Sequence, residues 1–183
     1  FDAERVPALV RRIILSGADW GGFHIYAGSQ ALDADAIIAM QAQTLALAAE
    51  LGDASGSAPP KVNLGGGFGI PYFPGEQPLD LSSIGANLAA IAAEAAEKMP
   101  QAEIVIELGR YLVGEAGIYV TKVLDRKVSR GLTYLVTDGG LHHHLSASGN
   151  FGQVIRKNYP AAIGNRMDEP AGEAVSVVGP LCT

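Results

Sequence analysis

The sequence predicts an α/β fold in which parallel βα units give way to a β-rich region. Up to about residue 107, amphipathic or alanine-rich stretches alternate with short apolar runs, in the order helix, strand, helix, strand, helix, strand. Such alternation builds a parallel sheet, because a crossover helix returns the chain to the sheet in the same direction. Beyond residue 117 the pattern changes. Segments 118–128, 132–138 and 174–179 are rich in Val, Ile, Tyr and Thr, with no long helix between them. The change places a boundary near 114–118 and divides the chain into residues 1–116 and 117–183.

Residues 4–16 read as a helix, with Val6, Leu9, Val10, Ile13 and Ile14 on one face at the spacing of an apolar stripe. A strand follows at about 22–27 and ends in Gly28-Ser29. The alanine-rich stretch 33–51 is a helix, with Asp33 or Asp35 to cap its start and Gly52 to end it. Residues 53–60, rich in Ser, Gly and Pro, form a loop. Lys61 to Leu64 is a short strand that runs into Gly65-Gly66-Gly67-Phe68-Gly69, followed by a longer loop with Pro71, Pro74 and Pro78. Helix 82–99 stops before Pro100, and strand 103–107 completes the series.

The 183 residues are 48% hydrophobic and 17% charged, with a net charge of −6, an ordinary globular composition. The acidic balance and the lack of a basic cluster argue against a nucleic-acid partner. No apolar run approaches the roughly 18 residues that span a bilayer. A single cysteine, Cys182, excludes an internal disulfide framework, and the default setting is the reducing cytoplasm. Phe1 in place of a methionine, and an end just past an apolar strand, read as a fragment of a longer protein.

Function is most legible at Glu107-Leu108-Gly109-Arg110, after the apolar run Ile104-Val105-Ile106. A carboxylate and a guanidinium emerge together at a strand end, where charge is costly unless satisfied. A ligand with one basic nitrogen and one phosphate would satisfy both; a surface ion pair is the alternative, common and weak. Consecutive glycines at 65–67 let backbone N–H groups approach an anion closely. The string fits neither Gly-x-x-x-x-Gly-Lys-Ser/Thr nor Gly-x-Gly-x-x-Gly, which disfavours a nucleotide site and leaves a phosphate cradle and a ligand-free turn open. Ser29 either reaches the same anion or caps its turn. His24 and Tyr26, two apart, share one face of their strand. In a βα barrel, consecutive strand ends lie side by side where sites are built. His142-His143-His144 lacks a carboxylate or cysteine cluster at ligand spacing and reads as a polar loop edge, so no metal is expected. Asp138-Gly139-Gly140 reads as the turn after strand 132–138. Cys182 follows Gly179-Pro180 in a turn rather than a core.

Taken in order, five strings resemble the alanine-racemase-like pyridoxal-phosphate enzymes, and within them the diaminopimelate/ornithine decarboxylase family. They are His24-Ile-Tyr-Ala-Gly-Ser-Gln30, Gly65-Gly66-Gly67-Phe68, Glu107-Leu-Gly-Arg110, Asp138-Gly-Gly140 and Gly179-Pro-Leu-Cys182. The resemblance implies the C-terminal part of a (β/α)8 TIM-type barrel over 1–116, followed by part of a β-rich domain over 117–183. It implies pyridoxal 5'-phosphate as cofactor, with Gly66, Gly67 and Arg110 gripping the phosphate and Ser29 assisting. Gly65, Gly109 and Tyr26 complete the cofactor-binding set. Glu107 would face the pyridine nitrogen, where its charge keeps that nitrogen protonated and the ring able to accept electrons. It implies a homodimer with shared active sites, in which Cys182 enters the partner's site and controls protonation.

The chain departs from the family in three places. Tyr26 stands where a histidine usually stacks on the cofactor, and a tyrosine can still stack. Leu108 stands where the family has proline. Thr183 stands where members acting on diamino acids carry an acidic residue. That argues against a standard diamino acid and leaves an amino acid tethered to a carrier as an option. The resemblance implies that the lysine the family bonds to its cofactor would lie upstream of Phe1, since no lysine of this chain matches it. The leading reading is thus a pyridoxal-phosphate-dependent amino-acid decarboxylase. Its competitors are an amino-acid racemase on the same barrel, opposed by the cysteine motif, and a non-catalytic relative that binds a partner protein, opposed by the intact Glu107, Arg110 and glycine run.

Overall fold

A computed structural model describes residues 1–144, 158–170 and 172–181. The chain divides into two compact units, 1–71 with 76–116, and 72–75 with 117–183.

In the first unit, a short 3-10 turn (Ala3–Arg5) leads into α1 (Val6–Leu15), followed by β1 (Phe23–His24), α2 (Ala34–Ser55), β2 (Lys61–Asn63), α3 (Leu81–Lys98), β3 (Glu103–Val105) and the five-residue α4 (Gly109–Val113). The strands form one parallel sheet in the order β1-β2-β3, with Phe23 level with Val62 and Val62 with Ile104. The ladder is shorter than the apolar runs. The strand expected over 22–27 pairs regularly only at Phe23–His24, because beyond it the chain turns into glycine loops. The core lies on one side of the sheet, where Phe23, Val62 and Leu64 pack against Val10, Leu45, Ala48, Leu51, Ile91 and Ala95 of the helices. Of the stripe expected on α1, Val10 is buried and Val6 packs on the core, while Ile14 stays exposed.

Asp33 caps α2, its Oδ1 accepting from the backbone N–H of Asp35 at 2.9 Å and of Ala36 at 3.2 Å. The helix does not end at Gly52. It runs on to Ser55 and stops at Gly56, whose left-handed φ of 72° suits a residue without Cβ. Gly52 is instead a packing glycine, since a Cβ there would sit 3.1 Å from Pro59 Cδ. Helices α2 and α3 are joined by a polar bond inside the apolar layer, Asn87 Nδ2 donating to Gln41 Oε1 at 2.9 Å. Gln41 is almost fully buried, so this bond satisfies a group that would otherwise be costly there.

Asp80 caps α3. It accepts from the Ser83 hydroxyl and from the backbone N–H groups of Ser83 and Ser82, and these bonds hold its carboxyl below the ordinary carboxylate value. Because the folded state binds the proton more weakly than the unfolded chain, the cap's contribution is complete above the ordinary carboxylate pKa. It is lost as pH falls through the lowered folded value. Asp80→Ala in the full-length protein is therefore expected to lower Tm at neutral pH, with the gap to wild type closing in acid. Equal gaps at both pH values would refute the cap.

In the second unit, β4 (Val123–Ser129) and β5 (Leu132–Thr137) form an antiparallel hairpin, and β6 (Ser176–Val178) pairs parallel to β5. The hairpin turn is Arg130-Gly131, with φ of 51° and 79°, the doubly left-handed form that matches strand twist. Asp138 does more than turn the chain. Its Oδ1 accepts from Thr121 Oγ1 at 2.7 Å and from Lys122 N at 2.8 Å, tying the end of β5 to the segment before β4. His142, His143 and His144 lie in an exposed turn, where Gly140 N donates to His143 Nδ1 at 3.3 Å. Among the described residues no helix is long and apolar enough to cross a membrane.

Candidate functional site

Side chains alternate across a strand, and the helices cover only one face of the sheet. Phe23, Val62 and Leu64 take that face, with Ile25, Ile104 and Ile106 packed against them. The alternate residues His24, Tyr26, Asn63 and Glu107 therefore share the face away from the core. Because the strands are parallel, these positions gather at the carboxyl edge, where α/β proteins place their ligands.

The glycine run closes this edge by bringing three strand ends into van der Waals contact. A Cβ on Gly65 (φ 73°) would lie 2.7 Å from the Ile25 carbonyl oxygen. One on Gly66 would lie 2.0 Å from that of Glu107, and one on Gly67 (φ 85°) 2.3 Å from that of Gly28. Backbone bonds lock the contacts, with Glu107 N donating to Gly65 O at 2.8 Å and Ala31 N to Gly67 O at 2.8 Å. The glycines are thus required by backbone packing before any ligand is considered.

Above them opens a cavity of about 220 Å³ lined by Tyr26, Ser29, Gln30, Gly66, Gly67, Phe68, Glu107, Leu108, Gly109 and Arg110. It is smaller than the roughly 300–1,000 Å³ of a typical ligand site, in keeping with one wall built by three strand ends. Seven of the residues singled out in the sequence meet here: Tyr26, Ser29, Gly66, Gly67, Glu107, Gly109 and Arg110. Gly65 is not among the lining residues; it makes the turn behind them. Cys182 lies outside the described residues.

Each of the two charges is held by a side-chain amide. Glu107 Oε1 accepts from Asn63 Nδ2 at 2.9 Å and stands 3.5 Å from His24 Nε2. Arg110 Nη1 donates to Gln30 Oε1 at 2.8 Å. The Glu107 side chain remains 52% exposed and Tyr26 64% exposed, so a carboxylate, a guanidinium and an aromatic ring all stay accessible at one wall. Sequence reasoning missed Gln30, Asn63 and Phe68 as members of this site. Gln30 carried a signal, as the last residue of the Gly-Ser-Gln string, and Asn63 carried only its place at a strand end. Among the described residues no three His, Cys, Asp or Glu side chains come together as a metal site.

Residues 1–114 match the family model described as pyridoxal-dependent decarboxylase, pyridoxal binding domain. The chain is 42% identical, over 88% of its length, to L-glutamyl-[BtrI acyl-carrier protein] decarboxylase of Niallia circulans, and spans 39% of that protein. It is 30% identical, again over 88% of its length, to diaminopimelate decarboxylase of Bacillus subtilis and spans 36% of it. The structure of diaminopimelate decarboxylase from Helicobacter pylori complexed with L-lysine matches 99% of the chain with a TM-score of 0.68 at 22% identity; the chain covers 42% of it. The fold is therefore the one the sequence resemblance implied, part of an alanine-racemase-like TIM barrel with β structure after it.

Proposed function

The chain belongs to the pyridoxal-dependent decarboxylases, and from that premise we propose that the protein decarboxylates an amino acid tethered to a carrier protein, with pyridoxal 5'-phosphate as its cofactor. The observation that carries the reading is the single wall at which Glu107, Arg110, Tyr26, Ser29 and the glycines 66 and 67 converge. The donor set suits the cofactor: a carboxylate for the ring nitrogen, a guanidinium with backbone amides and a hydroxyl for the phosphate, and an aromatic face for the ring. The carrier-bound substrate is supported by the 42% identity to a decarboxylase whose name gives such a substrate. Thr183, where diamino-acid enzymes carry an acid, supports it too.

When bound, the cofactor supplies an electron sink for the pair left as carbon dioxide departs. Glu107, whose Oε1 lies 2.9 Å from the Asn63 amide that orients it, would face the ring nitrogen and favour its protonated form. Arg110, Gly66 and Gly67 would grip the phosphate with Ser29 assisting, and Gly65 and Gly109 complete the cofactor-binding set. Tyr26 would offer its aromatic face to the ring. Residues 1–116 form the cofactor-binding part and 117–183 part of a C-terminal β domain. The proposal includes a cytoplasmic homodimer in which, as the family resemblance implies, Cys182 would help control protonation in the partner subunit's site.

The test is the full-length protein. Its visible spectrum is expected to show a cofactor band that borohydride reduces, and carbon dioxide release is expected at a kcat/KM about a hundredfold higher from a carrier-bound aminoacyl group than from the free amino acid or diaminopimelate. A protein that stays colourless with added pyridoxal phosphate would overturn the cofactor. Preference for free diaminopimelate would overturn the substrate.

A further inference from the structure

We infer that two side-chain amides are positioning residues of this site, Asn63 for Glu107 and Gln30 for Arg110; the inference rests on the cofactor roles proposed for those two charges. Each amide ties one charged group to one end of the glycine loop. Asn63 Nδ2 donates to Glu107 Oε1 at 2.9 Å, while Asn63 Oδ1 accepts from Gly65 N at 2.9 Å. Gln30 Oε1 accepts from Arg110 Nη1 at 2.8 Å, while Gln30 Nε2 donates to the Ile70 carbonyl at 2.5 Å.

The polarity of both bridges is fixed by their ends. A carboxylate only accepts and a guanidinium only donates. The loop offers the opposite kind of group in each case, an N–H at Gly65 and a C=O at Ile70. Each bridge therefore needs a donor and an acceptor on one planar head, which a carboxamide supplies and a carboxylate or ammonium does not. Gln30 also holds a φ of 54°, a left-handed conformation uncommon for a residue with a long side chain. The fold keeps it at the position whose side chain spans from Arg110 to the loop. The two amides thus couple the glycine loop to both charges: a loop in register sets the carboxylate and the guanidinium together.

The experiment uses the full-length protein, with pyridoxal 5'-phosphate titrated by visible absorbance and turnover read as carbon dioxide release. Asn63→Asp keeps the acceptor for Gly65 but replaces the donor to Glu107 with a like charge. It is expected to lower kcat about tenfold or more with cofactor Kd within about threefold of wild type, and Asn63→Ala should follow it. Gln30→Ala is expected to do the reverse, raising cofactor Kd about tenfold while kcat at saturating cofactor falls by less than about threefold. Gln30→Glu, which pairs Arg110 with an anion that competes with phosphate, should raise Kd further. Wild-type values in both readouts would overturn the inference. So would kcat and Kd moving together in every variant, the mark of a loosened loop. Full turnover in Asn63→Asp with a loss in Asn63→Ala would remove Asn63, because only the Gly65 bond would then matter. Failure of the underlying reading is separate: the wild type itself would show no absorbance change with pyridoxal phosphate.

Discussion

Glu107→Gln is expected to reduce turnover about a hundredfold, the scale lost when one preorganised electrostatic contact to a developing charge is removed. Cofactor affinity should stay within a few fold. Glutamine matches the shape of glutamate and can still accept from Asn63 Nδ2, so the 2.9 Å contact that orients residue 107 survives. What disappears is the negative charge. Without it the ring nitrogen would lose the partner proposed to favour its protonated form, and electron withdrawal would weaken at the step where carbon dioxide leaves. The proposed phosphate grip falls to Arg110 and glycines 66 and 67, other residues of the same cavity lining, which is why binding and turnover should separate. Single-turnover carbon dioxide release beside an absorbance titration measures both. Unchanged turnover would remove Glu107 from its role, and a parallel collapse of affinity would make it a binding residue.

Much of this site could be read before the structure because its charged and glycine residues leave the apolar pattern abruptly. Glu107 ends one apolar run, with Arg110 three residues on, and three glycines end another; neither event is explained by propensity. The elements around them were legible for the same reason, since α2, α3 and the three parallel strands follow simple periodicity. Where the reading failed, the deciding feature lay outside the local periodic pattern. Gly52 looked like a helix end and is a packing glycine, because Pro59 lies over it; the real stop, Gly56, was four residues on. Helix α4 is too short to show a period and is set by the turn of the chain after Glu107. Asn63 and Gln30 gave little local sign of their part, because their partners lie 44 and 80 residues away. Polar side chains between distant loops are specified by the fold as a whole, and a single sequence carries no pattern for them.

The same distinction separates two glycines that look alike in the sequence, and it sets the second large effect. Gly66→Ala is expected to destabilise the protein by about 3 kcal/mol, the upper end of overpacking costs, and to abolish cofactor binding with it. The new Cβ would meet the Glu107 carbonyl oxygen at 2.0 Å and its carbon at 3.0 Å. Those are backbone atoms, and they cannot step aside cheaply, because Glu107 N is held by Gly65 O at 2.8 Å on the adjoining peptide. Relief requires the strand ends to part, which carries the Glu107 carboxylate away from Asn63 and His24. Gly109→Ala makes the contrast. A Cβ there meets nothing within 4 Å, and Gly109 opens α4, where alanine is the better helix former. Its Tm should equal or exceed that of the wild type. Thermal unfolding of the two variants beside cofactor titration checks the pair. If Gly66→Ala melts with the wild type and still binds pyridoxal phosphate, the close packing of strand ends does not govern this wall. If instead Gly109→Ala keeps its Tm but loses cofactor, position 109 meets the ligand directly, and its glycine is kept for the phosphate rather than for the fold.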